Sequence, residues 1–489
     1  MSKRYSPSDE VRRIRGAIDH PVIDSDAHLI EYLPDLRDRI MSIGGSDVVR
    51  RFDRHYWTMD RAHEVPAALR RRYGISRPSW WTYPARNTLD RATATLPALL
   101  QERLPEIGID FLVMYPSYFI QFPMAADEDF RRAGCRAVNS YLADTFAGLE
   151  SCMTPAAAIP MHTPQEAIDE LVHATEGLGL RAAVFAGVVL RQIPGTERIW
   201  VDSFGMDSAY DYEPVWQYCE DHGIAVTFHS AGSGWGSRVG LSNFMENHIG
   251  HFAAAGESVA RSLLFAGVPV RHPRLRFAFL EGGVAWGASL YAAMAEHFGK
   301  RSGDAVRHYD PREIDVALMR SLLEEKGTAS MRRHVDLLER ALQPQGPVFD
   351  PIPDDFASTG FTSKDHIREV FERSYFFGVE GDDPMNAVAN ESFCRHLGAR
   401  MNAIYSSDLG HWDVRDMREV LPEAYELVDD GAATPADFRR MVFEAPVRLW
   451  TGGNPHFFDG TVVEKAVKEL AVGELQETAP LATEGMGHA

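Results

Sequence analysis

Asp408 and His411 stand where the chain changes character abruptly. Asn402-Ala403-Ile404-Tyr405 is apolar and strand-like, then stops at Ser406-Ser407-Asp408, and Gly410, His411 and Asp413 follow within five residues. A carboxylate at the end of a buried strand, with an imidazole just beyond it, is a donor set for a divalent metal at the mouth of a parallel barrel. A matching stretch lies near the start of the chain, where Val22-Ile23 lead into Asp24-Ser25-Asp26-Ala27-His28, with Glu31 just after. Asp26 and His28 are two residues apart and so point to one side of a strand. Taken alone, an Asp-x-His pair is equally an ordinary turn or helix cap.

Two more apolar runs end the same way. Thr227-Phe228 leads to His229 and a loop of Ser and Gly, which places an imidazole ligand at a strand end. The bland alternative is a core histidine donating to a carbonyl. Arg276-Phe277-Ala278-Phe279-Leu280 meets Glu281-Gly282-Gly283. A glutamate directly after such a run is partly desolvated, which raises its pKa and suits it to proton transfer. A salt bridge to an arginine beneath the rim is the structural alternative. His162, ending a third run, and Asp382 and Asp383, following another, face the same mouth and read as substrate contacts or as groups that support the ligands from behind, rather than as ligands. The run 182–190 contains no Lys, Asp or Glu to bridge two ions, so one metal is expected. His222 and His297 fall on helical patterns and read as solvated.

Eight apolar runs must position these groups: 22–28, 109–117, 153–162, 182–190, 225–232, 276–283, 374–381 and 402–410. They alternate with helical patterns and are continuous rather than alternating in polarity, as in a parallel sheet covered on both faces. Eight such units predict an α/β fold, a (β/α)8 TIM barrel. An open doubly wound sheet is the rival, and no GxGxxG follows the first strand to support it. Two long insertions are expected after strands one and six, at about 40–100 and 300–372. The first is rich in Arg and aromatics (Tyr56, Trp57, Trp80, Trp81, Tyr83). The second holds helical patterns at 313–323 and 331–342 and a Pro-rich link at 343–355. The expected organisation is a loose arm at 1–20, the barrel at 21–455, and a C-terminal segment and tail at 456–489.

A formal net charge of −20 over 489 residues argues against nucleic acid and anionic membranes as partners. Cys135, Cys152, Cys219 and Cys394 form no disulfide framework and read as reduced thiols. Residues 1–7 carry no apolar core after their charges, and no segment reaches the roughly 20 apolar residues of a membrane span. A soluble cytoplasmic protein is expected.

From about Val22 to Trp450 the chain resembles the amidohydrolase superfamily, in particular its aminocarboxymuconate-semialdehyde decarboxylase-like branch, amidohydrolase family 2. The resemblance rests on Asp24-Ser25-Asp26-Ala27-His28, on residues 273–286 around Glu281-Gly282-Gly283-Val284-Ala285-Trp286, and on Tyr405-Ser406-Ser407-Asp408-Leu409-Gly410-His411. It implies a (β/α)8 barrel with one divalent metal, usually zinc and sometimes manganese, and a homo-oligomer, dimer or higher. The family's first-strand His-x-His corresponds to Asp26 and His28, its fifth-strand histidine to His229, and its last-strand aspartate to Asp408. Where the decarboxylases carry His-Gly-Gly after strand six, this chain has Glu281-Gly282-Gly283, which weakens the case for decarboxylation. With Asp26, Glu281 and Asp408 beside two histidines, zinc is the first choice, with manganese or iron tolerated.

The leading expectation is hydrolysis of a small organic amide, ester, lactone or cyclic substrate. Asp26, His28, His229 and Asp408 would hold the metal, Asp408 or Glu281 would move the proton, and His411 would steady the oxyanion. His162, Trp286, Arg86 and Trp235 are the expected substrate contacts, and Trp57, Trp80, Trp81 and Trp412 point to an apolar pocket or simply pack the insertions. The alternative is non-oxidative decarboxylation of an aromatic or unsaturated acid, with Arg86 or Arg238 holding a second carboxylate. A third reading is a barrel that has lost its metal and serves as a scaffold.

Overall fold

The structure, a computed structural model, describes residues 5–62, 66–73, 86–117, 122–196, 198–230, 237–342 and 352–477. Its centre is one eight-stranded parallel sheet in the order β1 to β8. The strands are β1 (Ile23–Leu29), β2 (Phe111–Pro116), β3 (Met153–Ile159), β4 (Ala182–Phe185), β5 (Val226–Phe228), β6 (Phe277–Phe279), β7 (Tyr375–Val379) and β8 (Asn402–Tyr405). All eight expected runs form strands of this barrel. Each is buried along its whole length because both faces are covered. Tyr375 and Phe277 point outward to the helical layer, where Tyr375 Oη donates to Ala260 O at 2.9 Å and Trp216 packs on Phe277. Tyr115 and Thr227 point inward and meet at 3.2 Å.

The sheet closes at a seam built beyond the strand ladders. His28 N donates to Leu409 O (2.8 Å) and Asp408 N donates to Asp26 O (3.0 Å). Asp24, whose burial lifts its carboxyl to about 6, accepts from the Ser407 backbone N–H at 3.1 Å and from the Ser407 hydroxyl. β1 is irregular between Asp24 and Ala27, where the local register shifts. Gly410 completes the seam at φ 105°, with His28 O 2.5 Å from where a Cβ would stand. Any side chain there would force the two edges apart.

The insertions are helical. Between β1 and β2 run Leu33–Ala62, broken at Gly45 (φ 74°), then Ala67–Tyr73, Thr88–Thr95 and Pro97–Ile107. Between β6 and β7 run Ala285–Arg301, Val316–Lys326 and the short turns Ala329–Arg332 and Leu338–Ala341, so the helix expected at 331–342 is broken into pieces. The run 182–190 divides: β4 ends at Phe185, and Val189–Gln192 pairs with Ile199–Asp202 in an antiparallel hairpin.

The arm is not loose. It forms the helix Asp9–Ala17, whose Val11 and Ile14 are fully buried and whose Arg15 pairs with Asp110 at 2.9 Å. Past residue 455, Phe457 and Phe458 pack on Phe111, and the helix Glu464–Glu477 follows. The four cysteines are buried and outside any disulfide. No described helix is long and apolar enough to cross a membrane.

Candidate metal centre

The strand ends bring six of the predicted residues together. Asp26 and His28 come from β1, His229 follows β5, Glu281 stands two residues past β6, and Asp408 and His411 follow β8. Asp26, His28 and His229 offer ligand atoms within 4.8 Å of one another, and so do His28, Asp408 and His411. His28 Nε2 is 3.4 Å from Asp26 Oδ1 and 3.2 Å from Asp408 Oδ1, without hydrogen-bond geometry to either. His411 stacks on His28 with ring centres 3.6 Å apart and places Nδ1 2.6 Å from Asp408 Oδ1, while its Nε2 reaches Ser117 Oγ at 3.2 Å. Glu281 Oε2 lies 2.9 Å from His229 Nε2.

Two of the acids hold strained backbone. Glu281 (φ 57°) and Asp408 (φ 53°) are two of the four non-glycine residues in the left-handed region among the described residues. Such a conformation costs of order 1 kcal/mol or more and persists where the surroundings impose it. Here it turns each carboxyl inward immediately after an outward-alternating strand has ended.

The electrostatics are those of a donor set that lacks a positive charge. Both oxygens of Asp26, both of Asp408, Nε2 of His28, Nε2 of His229 and Oε2 of Glu281 are buried and have no hydrogen-bond partner among the described residues. Leaving such groups unsatisfied costs roughly 1–3 kcal/mol each, more for charged ones. Burial, then neighbouring carboxylates, pushes Asp26 and Glu281 well above the usual range, and burial followed by Asp413 and Glu281 does the same to Asp408. Burial lowers His28 well below its ordinary value and takes His229 and His411 to about 3. Neutral imidazoles beside carboxyls that need a cation to ionise fit one divalent ion. Asp26, His28, His229 and Asp408 would hold it, with Glu281 and His411 against the set.

The remaining predicted contacts fall elsewhere. His162 O accepts from Arg191 at 3.1 Å, and burial takes its imidazole to about 3. Trp286 packs behind β6 and β7, its ring 5.5 Å from Phe279 and 5.0 Å from Phe377, so it backs the wall rather than lining the mouth. Arg86 is exposed, and Trp235 lies outside the described residues, as do Trp80 and Trp81. Asp383 caps a helical turn by accepting from Met385 N at 2.8 Å.

Three groups that sequence reasoning passed over belong to this mouth. Glu380, directly after β7, lies with Glu281 and Asp413 in a group of carboxyls within 4.8 Å, and burial, then Asp413, raises it to about 8. Its signal was the one that exposed Glu281: an acid ending an apolar run. His248 and His251 form a wall with Phe252 and Trp412. His248 lies 5.0 Å from His251 and 5.6 Å from Trp412, and Phe252 stands edge-on to His229 at 5.1 Å. Their signal was weaker, a His-x-x-His spacing in the connection after β5.

The amidohydrolase family profile matches residues 23–327. No curated protein matches the chain. Among solved structures, an amidohydrolase from Mycobacterium avium subsp. paratuberculosis K-10 superposes with TM-score 0.52 at 14% identity, covering 88% of this chain and 98% of that one. A 5-carboxyvanillate decarboxylase from Sphingomonas paucimobilis gives TM-score 0.49 at 14% identity over 88% and 98%. A dihydroxybenzoic acid decarboxylase from Polaromonas sp. JS666, crystallised with manganese and 2-nitroresorcinol, gives 0.48 at 14% over 90% and 99%. At 14% identity the superposition on the mycobacterial amidohydrolase speaks for the fold alone. With the family profile spanning more than half of the sequence, the chain belongs to the amidohydrolases, a family that uses a divalent metal.

Proposed function

We propose that this protein hydrolyses a neutral small organic molecule, an amide, ester or lactone, with one divalent cation held by Asp26, His28, His229 and Asp408. Zinc is the first choice for two imidazoles and two carboxylates, with manganese or iron tolerated. The observation that carries the reading is the concentration of acid at the mouth: Asp26, Glu281, Glu380, Asp408 and Asp413 converge there. A cation draws out two of these acids as ionised ligands, and the carboxyl oxygens that remain around it disfavour an anionic substrate and tolerate a neutral carbonyl.

When bound, the cation supplies Lewis acidity, polarising a carbonyl and lowering the pKa of water. The chain supplies the proton path. Asp408, steadied by His411 at 2.6 Å, takes the proton as the water oxygen bonds to the carbonyl carbon. Glu281, kept protonated by its burial, donates to the leaving nitrogen or oxygen as that bond breaks. Asp413 lies against Asp408 and within the Glu281 group, and passes the proton back between them. Water is thereby added across one bond with both acids restored. With Nε2 on Ser117 and Nδ1 2.6 Å from Asp408, His411 supports Asp408 better than it would an oxyanion.

Decarboxylation has one specific support: Arg238, whose Nε is buried without a partner among the described residues and whose charge bears on His251, could grip a carboxylate. A metal-replete screen with paired readouts separates the two. Hydrolysis of neutral amides, esters or lactones without carbon dioxide is expected. Carbon dioxide release from aromatic acids, with no hydrolysis, would overturn the proposal.

A further inference from the structure

A cavity of about 60 Å³ opens beside the start of β8, where Asn402 and Ala403 meet the turn Pro384–Ala389 and the helices Val420–Asp429, Pro435–Arg439 and Ala445–Thr451. It lies toward the end of β8 opposite Asp408. Its wall holds two buried acceptors that nothing meets. Asn386 and Asn402 are 3% and 2% exposed, and the Oδ1 of each is buried without a partner among the described residues. Both amides are oriented from their other end. Asn402 Nδ2 donates to Glu372 O and Tyr375 O, each at 2.8 Å, and Asn386 Nδ2 donates to Glu380 O at 2.7 Å. Turning either amide over would set carbonyl against carbonyl. Buried acceptors are paired in folded proteins as a rule, so two on one cavity require donors from an occupant.

The charged groups on the wall define the occupant's other end. Arg400, Arg440 and Arg448 line the cavity against Asp437 and Glu444. All but Arg400 are engaged. Asp437 pairs with Arg440 and accepts from the backbone N–H groups of Glu391 and Thr434 at 2.9 Å each. Glu444 accepts from Arg439 at 2.8 Å, and Arg448 donates to Glu372 O at 3.2 Å. The exposed guanidinium of Arg400 has no partner among the described residues. The unspent groups are therefore two neutral acceptors inside and one cation at the rim. The volume admits about four waters, or a molecule of a few non-hydrogen atoms.

We propose that this cavity binds a small amino acid, its ammonium group donating to Oδ1 of Asn386 and Asn402 and its carboxylate pairing with Arg400 at the rim. An ammonium carries three donors and no acceptor, which suits two carbonyl oxygens, and a carboxylate matches the fork of a guanidinium. Asn386 also holds the backbone of Glu380, one of the acids at the mouth, so an occupant braces the turn that follows β7. The site requires neither the metal nor the reaction proposed above.

Saturation-transfer NMR of the full-length, metal-loaded protein with glycine and L-alanine tests this. Saturable binding with Kd at or below about 1 mM is expected. Acetate and methylamine, each carrying half of the pattern, should bind roughly tenfold more weakly or worse. Arg400→Ala, an exposed change, should weaken glycine binding roughly tenfold, and Arg400→Lys should recover part of the loss. Ala389→Leu, which fills the cavity, should abolish binding while circular dichroism stays native. Failure of glycine and L-alanine to bind, acetate or methylamine binding as tightly as either, or affinity indifferent to both Arg400→Ala and Ala389→Leu overturns the proposal.

Discussion

The molecule buries charge in two places and treats it in opposite ways. In the helical layer the buried Arg103 and Arg131 are answered by carboxylates. Arg103, 1% exposed, donates to Asp90 at 2.6 Å, Glu106 at 2.8 Å and Thr93 at 2.7 Å, and Asp90 accepts in turn from Met417 N. Arg131 meets both oxygens of Glu166 and also donates to Ala125 O. At the barrel mouth, carboxyls and imidazoles equally buried meet without hydrogen-bond partners among the described residues, and their pKa values are displaced toward the neutral forms. Charge that serves the fold arrives with its counter-charge in the sequence. Charge that serves a metal waits for one that the sequence does not encode.

This contrast can be broken from either side. The largest effect is expected at Asp408→Asn, which keeps the shape and removes the proton acceptor. Turnover should fall by about 10⁴-fold, the upper range for a lost acid–base group, while the melting temperature changes little. A variant retaining a tenth of wild-type turnover would take Asp408 out of the reaction. Arg103→Met should do the reverse, costing about 3–5 kcal/mol in denaturant unfolding by stranding Asp90 and Glu106, with metal content per folded molecule unchanged. Glu281→Gln should bind metal normally yet turn over roughly 10²-fold slower, and an unchanged rate would make Glu281 a structural residue. His229→Ala should lose the metal, measured by elemental analysis, while its circular dichroism stays native.

The smallest effect is the pH dependence of the metal-free protein. Glu380, held near 8, and Glu423, near 7, keep protons in the folded state that the unfolded chain has released. The folded state therefore binds more protons, and stability must fall as pH rises. Below about 6.5 the lowered histidines oppose this, because the unfolded chain protonates them first. Stability should therefore decline from pH 6.5 to 8, by at most ~1.4 kcal/mol per pH unit for each such group. Glu380→Gln should flatten the decline, and an unaltered slope would remove Glu380 from the account.

The sequence disclosed much of this because apolar strands that stop at a charge are conspicuous. All eight barrel strands and the convergence of Asp26, His28, His229, Glu281, Asp408 and His411 could be read that way. The strand ends could not. The ladders finish at Phe228, Phe279 and Tyr405, one to three residues before the functional groups, and at Glu281 and Asp408 a left-handed turn then aims the side chain. The hairpin after β4 was hidden because Val189 and Leu190 continue an apolar run across the break. Trp286 looked like a mouth residue by position, but the first turn of its helix directs the ring outward. Glu380 was passed over for Asp382 and Asp383, two and three residues farther on, although it alone follows the strand directly. His248 and His251 sit on a connection whose path no periodicity reveals.

The seam has one more consequence. Asp26 and His28 stand on one edge of the barrel and Asp408 on the other, and the amides that lock those edges belong to His28 and Asp408 themselves. Parting the edges therefore dismantles the ligand set, so ion release and local breathing of the wall become one event. Solvent deuterium should enter those two backbone sites far faster once a chelator has stripped the protein, while the amides of β3 and β4 keep their pace.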